Sequence, residues 1–379
     1  MQRTYKYRLY PNKEQIRKFE QTLDICRNLY NNALTQRRKY YQENGKGLSR
    51  IKQQEFLKER KDEDIYLTQV HSQVLQDVLF RIEKAFTLFF VRLKAQNGKA
   101  GYPRYKSRNR YHSFTYSQQP GFTLTDKGLK LSKIGVIKIK LHRPIQGEIK
   151  TCTIKREVDR WYACFSCQVN SLNKLVPQKA VGIDMGITHF AYLSNGEVID
   201  NPKYLIKQEP KLKRAQRKIS KGQKGSKNRN KQKIKVAKIH RKIKDQRSDF
   251  LHKLSRKMVD NFSFIAVEDL VISNMIKNHY LAKSIADASW GQFFNYLAYK
   301  VEETGGKVVR ADPKGTSQVC SRCGSLVPKS LSVKIHKCSY CGIVLDRDYN
   351  SALNILQRAV GQELSELTPL EIAIRQSLN

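Results

Sequence analysis

Two groups of residues in this chain can do chemistry. The first is Cys320, Cys323, Cys338 and Cys341, written C-S-R-C and, fourteen residues later, C-S-Y-C-G. A CxxC turn presents two thiolates to one point, and two such turns supply the four soft ligands of one tetrahedral structural zinc ion. The spacing is close to that of a zinc ribbon. A pair of disulfides is the competing use, but disulfides belong to oxidising compartments. The polar, basic stretch Met1–Tyr10 carries no secretory pattern. The second group is acidic. Asp184 sits in V-G-I-D-M-G-I, Glu268 in F-I-A-V-E-D-L, and Asp348 in D-R-D-Y-N, which opens at Asp346 just past the last cysteine.

An ionised carboxylate among β-branched apolar residues is costly, because desolvation favours the neutral acid unless a cation compensates. Two such acids on central strands, and a third at a helix start, point to divalent metal. Magnesium, or manganese in its stead, prefers hard oxygen ligands. Two such ions ~3.5–4 Å apart activate a water and stabilise the leaving oxygen of a phosphodiester. On the residues alone, Asp346 competes with Asp348 for the third position. Gly182 and Gly186 flank Asp184 and allow close approach of backbone or phosphate. The run G-I-D-M-G also resembles the first phosphate motif of actin-like ATPases, but the sequence shows none of the further glycine-rich loops that such an enzyme needs.

Charge sets the partner. The chain of 379 residues carries 72 Lys and Arg against 33 Asp and Glu, a net charge of +39. So large an excess repels itself in a compact fold unless a polyanion neutralises it, and nucleic acid gains affinity through counterion release. A membrane surface is the other polyanion, but the sequence has no lipidation motif, amphipathic anchor or apolar run of the roughly 18 residues needed to span a bilayer. A cytoplasmic, nucleoid-associated protein is expected. The segment 207–247 concentrates the charge, with eighteen Lys and Arg against Glu209 and Asp245, a net +16. Ordinary solvated helices mix signs for i,i+4 pairing. Lys231, Lys233, Lys235, Lys238 and Arg241 are therefore expected to contact nucleic-acid backbone.

The elements that carry these groups follow from periodicity. Thr4–Tyr10 alternates like a strand, and Ile16, Phe19, Leu23, Cys26 and Tyr30 recur at helical spacing. A second amphipathic helix runs through Val70, Val74, Val78, Ile82, Ala85 and Phe89, with Ser72, Gln73 and Gln76 on its polar side. Residues 96–110 read as loop. Short strands are expected at 113–116, 130–131, 135–141, 150–156 and 161–169. Cys26, Cys152, Cys164 and Cys167 read as packing residues; Cys164 and Cys167 lie in a strand, where they point to opposite faces. From about residue 178 a new α/β unit begins: a strand pair over 180–194, two basic helices with a joint near Gly222–Ser226, a buried strand over 262–270, a helix over 285–301, a strand over 307–311, the ribbon, and a helix over 351–360 that opens after Asn350.

With these residues in hand, the chain resembles the TnpB family, transposon-encoded RNA-guided nucleases related to type V CRISPR effectors. The likeness rests on Y-K-Y-R-L-Y-P from Tyr5, G-I-D-M-G from Gly182, H-K-L-S from His252, V-E-D-L from Val267, T-S-Q from Thr316, the four cysteines, and D-R-D-Y-N-S-A from Asp346. It implies a multidomain α/β protein. A wedge-like antiparallel β domain would occupy 1–11 and 111–177, with a helical recognition insertion at 12–110. A RuvC-like nuclease domain of ribonuclease-H-like fold would occupy 178–318 and 344–362, interrupted by the zinc ribbon at 319–343, with a tail at 363–379. It implies a guide RNA from the transposon end, cleavage of double-stranded DNA beside a short adjacent motif, and a monomer on its RNA. It puts the catalytic metal ligands at Asp184, Glu268 and Asp348, since Asp348 precedes Asn350 and Ser351 in the family's final motif. Ser72, Gln73 and Gln76 become candidates for reading DNA. Two other functions are a non-catalytic nucleic-acid-binding regulator of transposition and a transposase that joins strands without RNA. A pure binder has no use for three acids that repel phosphate.

Overall fold

The computed structural model describes residues 2–95, 100–169, 179–330 and 332–366. Two compact units divide at Asn170/Ser171. In the first, strand β1 (Gln2–Tyr10) is followed by helices α1 (Lys13–Asn44), α2 (Arg50–Glu63), α3 (Ile65–Thr68) and α4 (Ser72–Lys94). Strands β2 (Ser113–Tyr116), β3 (Phe122–Thr125), β4 (Gly128–Leu131), β5 (Gly135–Lys140), β6 (Glu148–Glu157) and β7 (Arg160–Gln168) follow. They form one sheet in the order β2-β6-β7-β1-β5-β4-β3, with antiparallel neighbours throughout. Alternation explains β1: Tyr5, Tyr7 and Leu9 are buried, and Lys6 and Arg8 between them are half-buried on the other face. An Asn12/Gln15 capping box starts α1 and left-handed Gly45 ends it. Phe19 of α1 meets Phe114 of β2 and Trp161 of β7, so sheet and helices share one core.

The second unit begins with β8 (Ala180–Met185), β9 (His189–Leu193) and β10 (Val198–Asp200), then the basic helices α5 (Tyr204–Lys221) and α6 (Lys227–Asn261). Strand β11 (Phe264–Glu268), helices α7 (Ile272–Met275), α8 (Ala282–Ala288) and α9 (Trp290–Glu302), and strand β12 (Lys307–Ala311) follow. The ribbon strands β13 (Ile335–Lys337) and β14 (Val344–Asp346) lead into α10 (Arg347–Glu366). The five-stranded sheet runs β10-β9-β8-β11-β12, antiparallel from β10 to β8 and parallel from β8 to β12. Among the described residues, no helix is long and apolar enough to cross a membrane.

Strand parity sorts the second core. Val181, Ile183 and Met185 of β8, with Ile265 and Val267 of β11, pack with Phe293, Leu297 and Val301 of α9. The alternate residue Ala266 packs with Ile355 and Ala359 of α10. The parallel register pairs Val267 with Ile183. The next step along both strands is Glu268 and Asp184, side by side on the α10 face.

The expected elements shift in several places. Strand β3 and helices α2 and α3 are additional; α2 is mostly charged, buries Gln53 and Leu57, and so carries little amphipathic signal. The expected helix over 285–301 breaks at Ser289, whose φ of 57° is left-handed. The last helix opens at Arg347, not after Asn350, because the Asp346 carboxylate accepts the Asp348 and Tyr349 backbone N–H groups at 2.8 and 3.2 Å and caps it. Residues 96–99, the 170–177 end of the expected β domain and 367–379 of the tail lie outside the described residues.

Candidate metal centres and nucleic-acid interface

Asp184, Glu268 and Asp348 come from β8, β11 and the first turn of α10, and all three line one open cavity of about 550 Å³. Small residues bring the helix this close. A Cβ on Gly182 would lie 2.1 Å from the Ala352 carbonyl oxygen, so only glycine lets α10 rest on β8 there. Asn350 and Asn354 tie the helix to the segment just before Cys320, through bonds to the Val319 carbonyl at 2.8 and 2.7 Å.

Burial pushes the Asp184 carboxyl well above the ordinary aspartate range. The negative charges of Glu268 and Asp348 push the same way, while Ser351 and Arg347 oppose them only in part. Burial also raises Glu268, against a 2.8 Å hydrogen bond from Thr316 Oγ1 and the charge of Arg358. Asp348 is held differently: Arg347 Nη2 donates to Oδ1 at 2.7 Å and Lys334 Nζ to Oδ2 at 3.2 Å. Sequence reasoning missed Lys334 and Arg358, which carry no motif signal of their own, and noted Arg347 only as part of D-R-D-Y-N, with no role. It noted Thr316 only as part of T-S-Q and gave it no role. The cavity does not include Asp346, whose carboxylate is engaged as the α10 cap.

The two metal-binding expectations differ in geometry. The four cysteine ligand atoms lie within 4.8 Å of one another. Cys320–Cys341 and Cys323–Cys338 stand 3.6 Å apart, Sγ to Sγ. The edge of a tetrahedron with Zn–S bonds of ~2.3 Å is about 3.8 Å, so the donor set fits zinc. Each CxxC closes the same way: Gly324 N–H bonds the Cys320 carbonyl at 2.9 Å and Gly342 N–H bonds the Cys338 carbonyl at 3.0 Å. Both glycines are left-handed, at φ 75° and 74°. Hydrogen bonds from Ser325 bring the Cys323 thiol down to about 6. Among the described residues this is the one such cluster of ligand atoms. The three carboxylates share a cavity without converging to that degree, since Asp348 is turned to Arg347 and Lys334. Their all-oxygen donor set and the only partly compensated burial of Asp184 nonetheless fit a hard divalent cation.

The basic residues divide by helix face. Successive residues of a helix step by roughly 100°. Lys227, Lys231, Lys235, Lys238 and Lys242 therefore form one stripe along α6, and all five are exposed. Lys233 lies on the other side, also exposed, and Arg241 is half-buried between them. The stripe sets lysine after lysine at i,i+3 or i,i+4 spacing, and like charges so placed repel one another. Its base is anchored where Arg247 pairs with buried Asp287 of α8 at 2.7 Å. On α4, the Ser72 hydroxyl accepts from Lys61 at 2.8 Å, Gln73 Oε1 accepts the Gln118 N–H at 3.4 Å, and Gln76 is exposed. Gln73 is thus already engaged within the fold. Cys164 and Cys167 are half-buried and buried in β7, as packing residues.

Comparison with known proteins decides the family. A family model described as "Probable transposase" matches residues 153–279, "Cas12f1-like, TNB domain" matches 290–355, and "Helix-turn-helix domain" matches 1–46. A Streptomyces pristinaespiralis protein named "Putative RNA-guided DNA endonuclease" is 36% identical over 364 residues, spanning 94% of this chain and 89% of that protein. The chain belongs to the TnpB family. An Escherichia coli relative, "Putative RNA-guided DNA endonuclease InsQ", is 30% identical across 93% of this chain and 91% of its own. A TnpB-like protein of Acanthamoeba polyphaga mimivirus is 27% identical over 58% of this chain and 45% of its own. In this TnpB-family chain the segment matched as helix-turn-helix holds β1 and the single 32-residue helix α1, with no turn between two helices.

Proposed function

We propose that this chain is an RNA-guided, divalent-metal-dependent endonuclease, encoded by a transposable element, that cuts double-stranded DNA beside a short adjacent motif. The observation that carries the reading is the meeting of three carboxylates, from three separate segments, in one cavity. The names of the relatives that span most of this chain support it. The mixed five-stranded sheet, which sets Asp184 and Glu268 at the ends of the neighbouring parallel strands β8 and β11, supports a RuvC-like reading.

Asp184, Glu268 and Asp348 would hold the cation, magnesium or manganese. When bound, it supplies an activated water and stabilises the leaving oxygen of the phosphodiester. The residues of the chain account for the rest. Asp184 and Glu268 are held on one sheet face by strand register, and Thr316 orients Glu268 through its hydroxyl. Asp348, which pairs with Arg347 and Lys334, would turn from them to hold the cation, and Arg347 and Lys334, which line the same cavity, would be left to meet phosphate. Asp346 stays the helix cap. The lysine stripe of α6 would follow the backbone of the guide RNA or of its duplex with target, and the exposed side of α4, with Gln76 foremost, would face the adjacent motif. The four cysteines would hold one structural zinc.

The test is to purify the protein from its native host, sequence the RNA that accompanies it, and redirect cutting by changing the RNA's guide end. A transposase, the reading in the family description, would instead join element ends to a target without RNA. The products of the same reaction separate the two.

A further inference from the structure

The segment between β11 and α8 has a surface that the carboxylate site does not use. Its two ends, Leu270 and Leu281, both line the carboxylate cavity. The ten residues between them are therefore rooted at the rim of that cavity. Exposed apolar side chains are frequent among them and at their end: Val271 is 57% exposed, Ile276 43%, Tyr280 81% and Leu281 43%. Tyr280, the most exposed of them, presents its ring to solvent. The rings of His279 and Tyr280 lie against each other, with centroids 3.9 Å apart and planes tilted by 37°. The Asn278 side chain accepts the Tyr280 N–H at 3.1 Å and holds the turn. Lys277 and Lys283 flank the pair in sequence; Lys283 also pairs with Glu209 of α5, and Lys277 donates to Asn274 Oδ1 at 2.8 Å.

An exposed aromatic pair between lysines is the chemistry of single-stranded nucleic acid: bases stack on rings and ammonium groups meet phosphates. We propose that Tyr280, backed by His279, stacks on a base of the single DNA strand that enters the carboxylate cavity and so sets which phosphate reaches Asp184, Glu268 and Asp348. This rests on the nuclease reading above. Tyr280 is a strand-positioning residue and takes no part in the proton or metal chemistry. A duplex keeps its base faces covered, so the surface selects an unpaired strand.

The experiment uses the RNA-loaded protein, a matched duplex and 2-aminopurine at each position near the cut in turn. Stacking quenches 2-aminopurine fluorescence. The expected result is quenching at one position with wild type and with Tyr280→Phe, and recovered fluorescence with Tyr280→Ala. KM for cleavage should rise about 5- to 150-fold in Tyr280→Ala with kcat little changed, the range that loss of one stacked base gives. Because the side chain is exposed, the melting temperature should stay at the wild-type value. Unaltered quenching, or wild-type kcat/KM, in Tyr280→Ala would overturn the proposal. Asp184→Ala separates this inference from the nuclease reading. Quenching retained with cleavage lost supports both. Cleavage retained in Asp184→Ala contradicts the nuclease reading alone, and wild-type cleavage without quenching at any position contradicts the stacking alone.

Discussion

Gly182 is where fold and chemistry are most tightly coupled. Replacing it with alanine sets a methyl 2.1 Å from the Ala352 carbonyl oxygen and 2.9 Å from the Leu356 backbone nitrogen. These are backbone atoms of α10 and cannot rotate aside. Relief to ordinary contact distance moves the helix off β8 by roughly 1 Å. Overpacking of this kind costs about 1–3 kcal/mol. For a unit of this size that lowers the melting temperature by roughly 2–12 °C. The same movement carries Asp348, in the first turn of α10, away from Asp184 and Glu268. Active-site displacement of about 1 Å costs on the order of 100-fold in rate. Gly361→Ala is the matched control: it lies on the same helix with nothing within 4 Å, and should stabilise by about 0.5–1 kcal/mol. The assay is thermal unfolding alongside single-turnover cleavage by the RNA-loaded protein. A Gly182→Ala protein with wild-type melting and wild-type cleavage would refute the close packing of α10 on β8 as the origin of the site.

Three further outcomes follow from the site. Burial raises the Asp184 carboxyl, so without metal it stays protonated in the fold over a range where the unfolded chain ionises. Its contribution to stability is therefore full below the ordinary carboxylate value of about 3.9 and declines as pH rises toward the folded value; in EDTA, Asp184→Asn should flatten this decline in urea unfolding measured from pH 4 to 7, and an unaltered slope would count against the burial. Cys320→Ser or strong chelation should release one zinc per chain and destabilise the second unit, with activity falling in step because β14 leads directly into α10; active protein free of zinc by elemental analysis would count against a structural metal. Replacing Lys227, Lys231, Lys235, Lys238 and Lys242 with Ala should flatten the dependence of log affinity on log salt by about 0.7–0.9 for each phosphate left without its lysine. Lys233→Ala, on the other side of α6, should leave that slope unaltered, and equal effects from both faces would remove the stripe from the interface.

The parts of the site written in local chemistry were legible in the sequence. Strand alternation around Asp184 and Glu268, the CxxC pairs, and the unbalanced charge of 207–247 each act within a few residues. The placing of Asp348 inside α10 was not read, since it depends on Asp346 as the cap, and both acids look alike in a motif. The ion pair of Asp348 with Lys334 and the influence of the Arg358 charge on Glu268 join residues distant in the chain, and neither cation carries a local signal. Ser289 adopts a left-handed conformation that glycine or asparagine usually announces, so the break between α8 and α9 left no trace. The lysine stripe emerged only once α6 was a single continuous helix, since spacing selects a face only when the phase holds across its length.

The central claim is that Asp184, Glu268 and Asp348 together hold the metal that cuts DNA. Its most direct test is magnesium-dependent cleavage of a matched duplex by RNA-loaded protein carrying Asp184→Ala, Glu268→Ala, Asp348→Ala or Asp346→Ala, with RNA and target binding measured on each. The first three substitutions should abolish cleavage and preserve both binding steps, while Asp346→Ala, which loses a helix cap worth about 1 kcal/mol, should still cut. Cleavage surviving in Asp348→Ala and lost in Asp346→Ala would contradict the assignment, and cleavage surviving in all three triad variants would contradict the claim itself.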